Sequence, residues 1–309
     1  MTPNNIVLIS GPTASGKSFI ADLFSQKFES TIINADSMQL YKNLPILTAL
    51  PKDLKDNQPK YNLYGILDYK EACSVGHWLL LAKQAINDAI ANNKKAIIVG
   101  GTGFYLKALL YGMTNIPQID SETRSRVREL FQQIGKENFY KLLCKKDPHI
   151  EDRIKSGDSQ RMMRAMEVFE QTGQSITTFK QELNKPLLTN YVHICLMPDR
   201  KFLYENCNTR FDDMIANGVI DEIAAFKSLI SEDNDTQDYV IFKAIGFRQI
   251  ASYIDGYLDL QEAIEKAKQL TRNYAKRQLT WFKHQMPDKI CINYDSITAL
   301  QKGVMSLYN

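Results

Sequence analysis

Gly11-Pro12-Thr13-Ala14-Ser15-Gly16-Lys17-Ser18 fills every fixed position of the G-x-x-x-x-G-K-[ST] phosphate-binding loop. Successive backbone N–H groups, the positive end of the helix that follows and the Lys17 ammonium converge on one point, which suits a diphosphate or triphosphate. The Ser18 hydroxyl is placed to ligate Mg²⁺. The loop leaves open whether the phosphates belong to a nucleotide such as ATP. Asp36, in the next segment, raises a dinucleotide reading with an acid on the ribose, but Lys17-Ser18 stands where that fingerprint needs its third glycine. A carboxylate beside bound phosphates serves instead as a metal ligand, or as an acceptor and base toward a second substrate. The plain alternative is an Asx cap on the next helix. Val99-Gly100-Gly101-Thr102-Gly103 has no acid where a nucleotide hydrolase usually carries one, which weakens a hydrolase reading.

These residues need a scaffold. Asn5 to Ser10 reads as a buried strand and Phe19 to Phe28 as a helix. Thr31 to Asn34, Ala96 to Val99 and Tyr191 to Leu196 read as further strands, and Phe104 to Tyr111 as a helix. Short β-rich runs alternating with helices predict an α/β fold with a parallel sheet, in which ligands bind at the carboxyl ends of the strands. The loop, Asp36 and Thr102 all fall at such ends. Between Pro117 and Pro186 the β pattern gives way to charged helical patterns over Glu122 to Gly135, Lys136 to Lys145 and Gln160 to Gln171. That stretch, residues 117–187, is expected to be a helical insertion in a core formed by residues 1–116 and 188–309. The core then continues with helices over Arg200 to Asn217, Asp221 to Ser231, Lys243 to Ile254 and Leu260 to Phe282. Asp233 to Asp238 reads as a polar linker.

The chain has 309 residues, 44% apolar and 24% charged, an ordinary globular composition with room for a second, smaller unit. No apolar run approaches a membrane span and the first residues lack a secretory signal, so a cytoplasmic protein is expected. The five cysteines and four histidines share no ligand spacing, which argues against a zinc site or a disulfide framework. A net charge of +3 proves no nucleic-acid partner. From Lys266 to Lys283, however, the basic residues have no acid among them, and Lys268, Arg272 and Lys276 repeat at helical spacing. They form either a stripe that follows a phosphate backbone or a solvated face.

Seven ordered blocks are similar to the motifs of the tRNA dimethylallyltransferases, the isopentenyltransferases that act beside the anticodon. They are the loop, Asn34-Ala35-Asp36-Ser37-Met38-Gln39-Leu40-Tyr41, Val99 to Tyr105, Asp158-Ser159-Gln160-Arg161-Met162-Met163-Arg164 with the residues to Val168, Lys243 to Gln249, and Thr271 to Phe282, together with the start of the insertion at Asp120 to Arg124. The resemblance covers nearly the whole chain. It implies a P-loop NTPase-like core whose loop holds the diphosphate of dimethylallyl diphosphate with Mg²⁺. The five-carbon group goes to the exocyclic amine of the adenosine 3′ of the anticodon. Asp36 then accepts the amine proton, Thr102 orients the base, and Arg210 clamps the diphosphate opposite Lys17. Contacts to tRNA are implied at Asp36, Ser37, Met38, Gln39, Thr102 and Arg124, and at Gln160, Arg161, Met162, Met163 and Arg164. The target base must be extruded from its stack. The expected partners are the tRNA anticodon stem-loop and dimethylallyl diphosphate, with the chain a monomer. A P-loop kinase of a small metabolite is the rival reading.

Two departures from the family pattern stand out. Pro45-Ile46-Leu47-Thr48-Ala49-Leu50-Pro51 lacks the glycine and lysine that relatives commonly carry at Leu47 and Leu50, and Asn206 stands where they carry arginine. Both bear on the grip on diphosphate and tRNA. No Cys and His cluster follows Trp281, so the chain resembles the compact bacterial type and not the eukaryotic relatives with a zinc finger.

Overall fold

The computed structural model describes residues 5–52, 54, 60–114, 116, 117, 119–179, 186–232 and 239–306. The linker expected at Asp233 to Asp238 lies outside the described residues. The chain divides into two compact units, Met1–Leu110 with Leu187–Asn309, and Tyr111–Pro186.

The first unit is built on strands β1 (Ile6–Ser10), β2 (Ser30–Asn34), β3 (Tyr61–Asn62), β4 (Lys95–Gly100), β5 (Val192–Pro198) and β6 (Ile290–Tyr294). They form one sheet in the order β3-β2-β4-β1-β5-β6, with every pairing parallel. Helices α1 (Lys17–Lys27), α2 (Pro45–Thr48), α3 (Val75–Ala91) and α4 (Gly103–Tyr111) lie in its first half. In the second unit are α5 (Ser121–Lys146) and α6 (Ser159–Thr172). The first unit resumes with α7 (Arg200–Ala216), α8 (Val219–Glu232), α9 (Phe247–Ile254), α10 (Leu260–Gln285) and α11 (Ile297–Met305).

Apolar β-branched residues on both faces explain why β1 and β4 occupy the middle of the sheet. Leu8, Ile9, Ile97 and Ile98 are completely buried, and each such side chain contributes roughly 1.5–3 kcal/mol. Register then sets the functional edge. Ser10 lies beside Gly100 on one side and Cys195 on the other, while Asn34 pairs with Val99. The turns that follow β1, β2 and β4 therefore leave the sheet at the same level, and these turns hold the phosphate-binding loop, Asp36 and Thr102.

Several elements differ from the sequence expectation. The edge strands β3 and β6 and the helices α2, α3 and α11 were not in the pattern reading. The helix expected over Lys243 to Ile254 is a 3₁₀ turn at Val240–Lys243 followed by α9, because Gly246 takes φ +102° between them. In the second unit α5 breaks at Gly135 (φ 71°, ψ 169°), and its two halves pack with α6 around Val127, Phe139, Leu143, Met162 and Met166.

Gly100 marks the tightest approach at the functional edge: a Cβ there would lie 2.0 Å from the Ala35 carbonyl oxygen, immediately before Asp36. Gly100→Ala is expected to destabilise the protein by about 1–3 kcal/mol as β2 and β4 are pushed apart. Gly157→Ala, where a Cβ meets nothing within 4 Å, is the control and leaves the unfolding midpoint in place. Equal midpoints for the two variants in urea unfolding would refute the tight approach.

Candidate active site

The phosphate-binding loop has the backbone its sequence requires. Gly11 (φ +146°) passes so close to β5 that a Cβ would lie 2.7 Å from the Leu196 carbonyl oxygen, and Gly16 (φ +77°) opens α1. Ala14, at the tip, also has a positive φ of 60°. The Ser15 hydroxyl donates to the Pro12 carbonyl at 2.7 Å, and Tyr294 on β6 donates its hydroxyl to the Ser15 carbonyl at 2.5 Å. The loop is thus held from within and from the sheet edge.

A cavity of about 550 Å³ opens beside the loop and is lined by Lys17, Ser18, Gln39, Tyr61, Asn206 and Arg210, among others. Lys17 Nζ donates to the Pro12 carbonyl at 2.5 Å, and Arg210 Nη1 donates to Thr13 Oγ1 at 2.9 Å. Burial pushes the Lys17 ammonium down to about 8, with the Arg210 guanidinium adding to the shift and the Asp36 carboxylate opposing it. Burial lowers Arg210 as well, again opposed by Asp36. Two partly buried cations lining one cavity, each lowered by desolvation, are suited to attract an anion. The Ser18 hydroxyl is exposed and has no hydrogen-bond partner among the described residues. The departures from the family pattern meet here too. Leu50 lines the cavity, and Asn206 Nδ2 donates to the Ala14 carbonyl at 3.3 Å, bracing the loop.

Asp36 and Thr102 do not line that cavity; they form a second, adjoining turn. Asn34, fully buried, accepts from Asp36 N–H at 2.8 Å and donates to the Asp36 carbonyl at 3.0 Å. Met38 N–H donates to Asp36 Oδ1 at 3.0 Å, so the carboxylate closes an Asx turn and caps no helix. Oδ2 carries no bond among the described residues. Thr102 Oγ1 accepts from Ser37 N–H at 2.9 Å and donates to Ser37 Oγ at 3.3 Å, so the hydroxyl braces the Asp36 turn. Gln39 Nε2 donates to the Thr48 and Ala49 carbonyls and secures the end of α2.

In the helical unit, Gln160 and Arg161 are exposed, with Arg161 3.3 Å from Asp158. Arg164 lies 3.3 Å from the largely buried Glu167, Met163 is half-buried, and Arg124 donates to the Ile119 carbonyl at 3.4 Å. Met162 is fully buried in the unit's core, so it supports this block from below and offers no contact surface. The basic stripe on α10 is also corrected. Lys268 pairs with Asp212 at 2.7 Å and Arg272 donates to Asn208 at 2.6 Å, so both are spent on packing α10 against α7.

Of three residues that position the site, Asn34 and Gln278 lie in motif blocks without an assigned role, and Trp78 was not singled out. Asn34 orders the Asp36 turn. Trp78 on α3 donates its indole N–H to the Asn34 carbonyl at 3.0 Å. Gln278 on α10 bonds both the loop and the turn before Thr102. Their signals were present: Trp78, Ala82, Ala85 and Ala89 fall at helical spacing, and Gln278 is an uncharged polar residue on the apolar face that carries Ala275 and Phe282.

The lowered Lys17 value fixes a pH dependence. Below about 8 the ammonium is charged in the free protein, and above it the amine is neutral. A bound anion raises the value again, so binding takes up a proton at higher pH. Affinity for inorganic diphosphate, measured by calorimetry, is expected to weaken as pH rises through about 8. Lys17→Ala should bind weakly and lose that dependence; an unaltered profile in the variant would acquit Lys17.

A family model described as IPP transferase matches residues 39–285. A tRNA dimethylallyltransferase of Rickettsia bellii is 41% identical over 298 residues, covering 96% of this chain and 93% of the relative. One from Wolbachia pipientis subsp. Culex pipiens is 42% identical over 291 residues, covering 94% and 96%. Among solved structures, a eukaryotic dimethylallyltransferase acting on tRNA aligns with a TM-score of 0.81 at 25% identity, over 98% of this chain and 77% of that one. The full-length tRNA isopentenylpyrophosphate transferase of Bacillus halodurans aligns with a TM-score of 0.65 at 28% identity, over 99% and 96%. With a phosphate-binding loop and a carboxylate turn on one edge of a parallel sheet, and this extent of likeness, the chain belongs to the IPP transferase family.

Proposed function

We propose that the chain transfers the dimethylallyl group of dimethylallyl diphosphate to the exocyclic amine of the adenosine 3′-adjacent to the anticodon in tRNA. The observation that carries this reading is a pair of partly buried cations, Lys17 and Arg210, lining one cavity on the same sheet edge as the Asp36 turn with its free carboxylate oxygen. The relatives named above act on tRNA, and family membership favours group transfer over phosphorylation of a small metabolite.

In the reaction the amine nitrogen bonds to the allylic carbon while the carbon–oxygen bond to diphosphate breaks, its electron pair leaving with the diphosphate. The amine proton passes to Asp36. An adenine amine is a weak nucleophile, so the leaving group must be stabilised. Lys17, the loop N–H groups and Arg210 meet the charge that grows on the diphosphate. Ser18 offers a hard oxygen of the kind Mg²⁺ takes alongside phosphate oxygens and water, and the ion when bound adds positive charge there. Thr102 keeps the Asp36 turn in place. The target base leaves its stack at a cost of a few kcal/mol. Gln160, Arg161 and Arg124 on the helical unit supply polar and cationic groups suited to RNA phosphates and bases. A monomer acting in the cytoplasm, where tRNA is used, fits this role.

Incubation with labelled dimethylallyl diphosphate and an anticodon stem-loop RNA should move label into the RNA, and the absence of label would reject the reading. Under single turnover, Asp36→Asn is expected to slow transfer by at least about a hundredfold with donor affinity retained. Thr102→Ala, which removes a brace and leaves the base in place, should cost roughly three- to tenfold. Equal losses would mean that the two do not divide the work in this way.

Arg161 is the cleaner probe of the RNA face, because Arg164 also neutralises Glu167. Arg161→Ala should make the salt dependence of RNA binding shallower by about 0.7 in log–log slope, the value for one single-strand phosphate contact. An unchanged slope would leave Arg161 as a solvated charge.

A further inference from the structure

Gln278 is 6% exposed, and its amide uses both ends. Oε1 accepts from Thr13 N–H at 2.8 Å inside the phosphate-binding loop, and Nε2 donates to the Gly101 carbonyl at 2.8 Å, one residue before Thr102. A neutral amide accepts at one end and donates at the other, so it spans two turns without burying a charge. There is no slack in the fit: a Cβ on Gly101 would lie 2.6 Å from Gln278 Nε2. One turn further along α10, the Trp281 ring presses on Gly103, where a Cβ would lie 2.3 Å from it. The helix thus grips the residues on either side of Thr102. From Thr13 the hydrogen bonds continue to Arg210, and from Thr102 to Ser37 beside Asp36.

We infer that Gln278 is a positioning residue for the transfer proposed above, on which this inference rests: it fixes the loop that holds the diphosphate relative to the turn that carries Asp36. The two half-reactions are anchored on different strands. The strand ladders register β1 with β4 only as far as Ser10 and Gly100. Beyond them the loop and the Thr102 turn are separate chain segments, and the Gln278 amide joins them. Bond formation needs the allylic carbon and the amine nitrogen about 3–3.5 Å apart and aligned, and a misplacement of about 1 Å costs on the order of a hundredfold in rate. Gln278 bonds to the backbone of both segments and is assigned no contact with diphosphate or amine. Its effect therefore belongs in the transfer step and not in the affinity for either substrate.

The test compares Gln278→Met, which keeps length and loses both bonds, with Gln278→Glu, which keeps the acceptor for Thr13 N–H and sets a carboxylate oxygen against the Gly101 carbonyl. Both are expected to slow single-turnover transfer from labelled dimethylallyl diphosphate to an anticodon stem-loop by roughly ten- to a hundredfold. Affinities for donor and RNA should stay within about threefold of the parent in Gln278→Met, while in Gln278→Glu the added negative charge beside the loop also weakens donor binding. Hydrogen exchange at the Ser37 amide, which bonds to Thr102 and not to Gln278, should quicken in both folded variants. If Gln278→Met does not fold, Gln278→Glu carries the rate and exchange readouts. An unchanged rate, or a rate loss matched by lost donor affinity with Ser37 exchange unaltered, would overturn the inference and leave Gln278 as packing for the loop. If the parent protein transfers no label, the proposed reaction fails and the inference fails with it, whereas a parent that transfers label while the variants keep its rate overturns the inference alone.

Discussion

Two partly buried cations on the wall of one cavity set the terms for the rest of the site. Burial lowers both Lys17 and Arg210, each is influenced by Asp36, and Arg210 depresses Lys17 further. Each cation is also tied to the chain by a hydrogen bond, Lys17 to the Pro12 carbonyl and Arg210 to the Thr13 hydroxyl. Both partners belong to the phosphate-binding loop. In the proposed reaction a diphosphate seated there would take over these contacts, and the attraction that binds it would be the one that stabilises it as a leaving group. Charge on the diphosphate rises as the carbon–oxygen bond breaks, so the cation pair acts more strongly on the transition state than on the bound donor.

The sheet makes that cleft possible by keeping its polar parts at the end of an apolar body. Buried Ile, Leu and Val on β1 and β4 supply the rigidity, and parallel register brings three turns to one level. At the end of β4 the chain then uses glycines where a nucleotide hydrolase would carry an acid. Gly100 admits the Ala35 backbone, Gly101 admits Gln278, and Gly103 admits Trp281. The space beside the loop is filled by groups that fix an acceptor turn, and the available carboxylate comes from β2 as Asp36.

Much of this was legible in the sequence, and the gaps have physical causes. The loop motif and the buried strands β1, β2, β4 and β5 announce themselves because a chemical constraint or burial on both faces restricts residue choice. Strand β3 has two residues, too few for a periodic pattern. Strand β6 leaves Ile290, Cys291 and Asn293 exposed, and its short run follows a long helix. Helix α3 buries mainly alanines around Trp78, a weak hydrophobic pattern despite its regular spacing. In the site, residue types gave Lys17 and Asp36, but not that Thr102 spends its hydroxyl on Ser37 or that Lys268 and Arg272 turn inward to α7. Those facts depend on which face of an element meets its neighbour, and spacing along the chain does not fix the rotation.

If Asp36 accepts the amine proton as proposed, its turn also limits which base edge can be accepted. Oδ1 is held by Met38 N–H, and Asn34 holds the backbone on both sides of the carboxylate, so the remaining oxygen has a fixed direction. A fixed carboxylate oxygen can accept from an exocyclic amine, as adenine presents, but it is repelled by a carbonyl oxygen, which guanine presents at the same place. A flexible carboxylate could swing aside and tolerate the wrong base. One braced by Asn34 and Ser37 must instead leave an acceptor opposed to another acceptor, at a cost of roughly 1–3 kcal/mol before any loss of reactivity. On that proposal the hydrogen bonds that immobilise the acceptor are also the source of its selectivity, and the rigidity that serves the transfer step serves recognition in the same stroke.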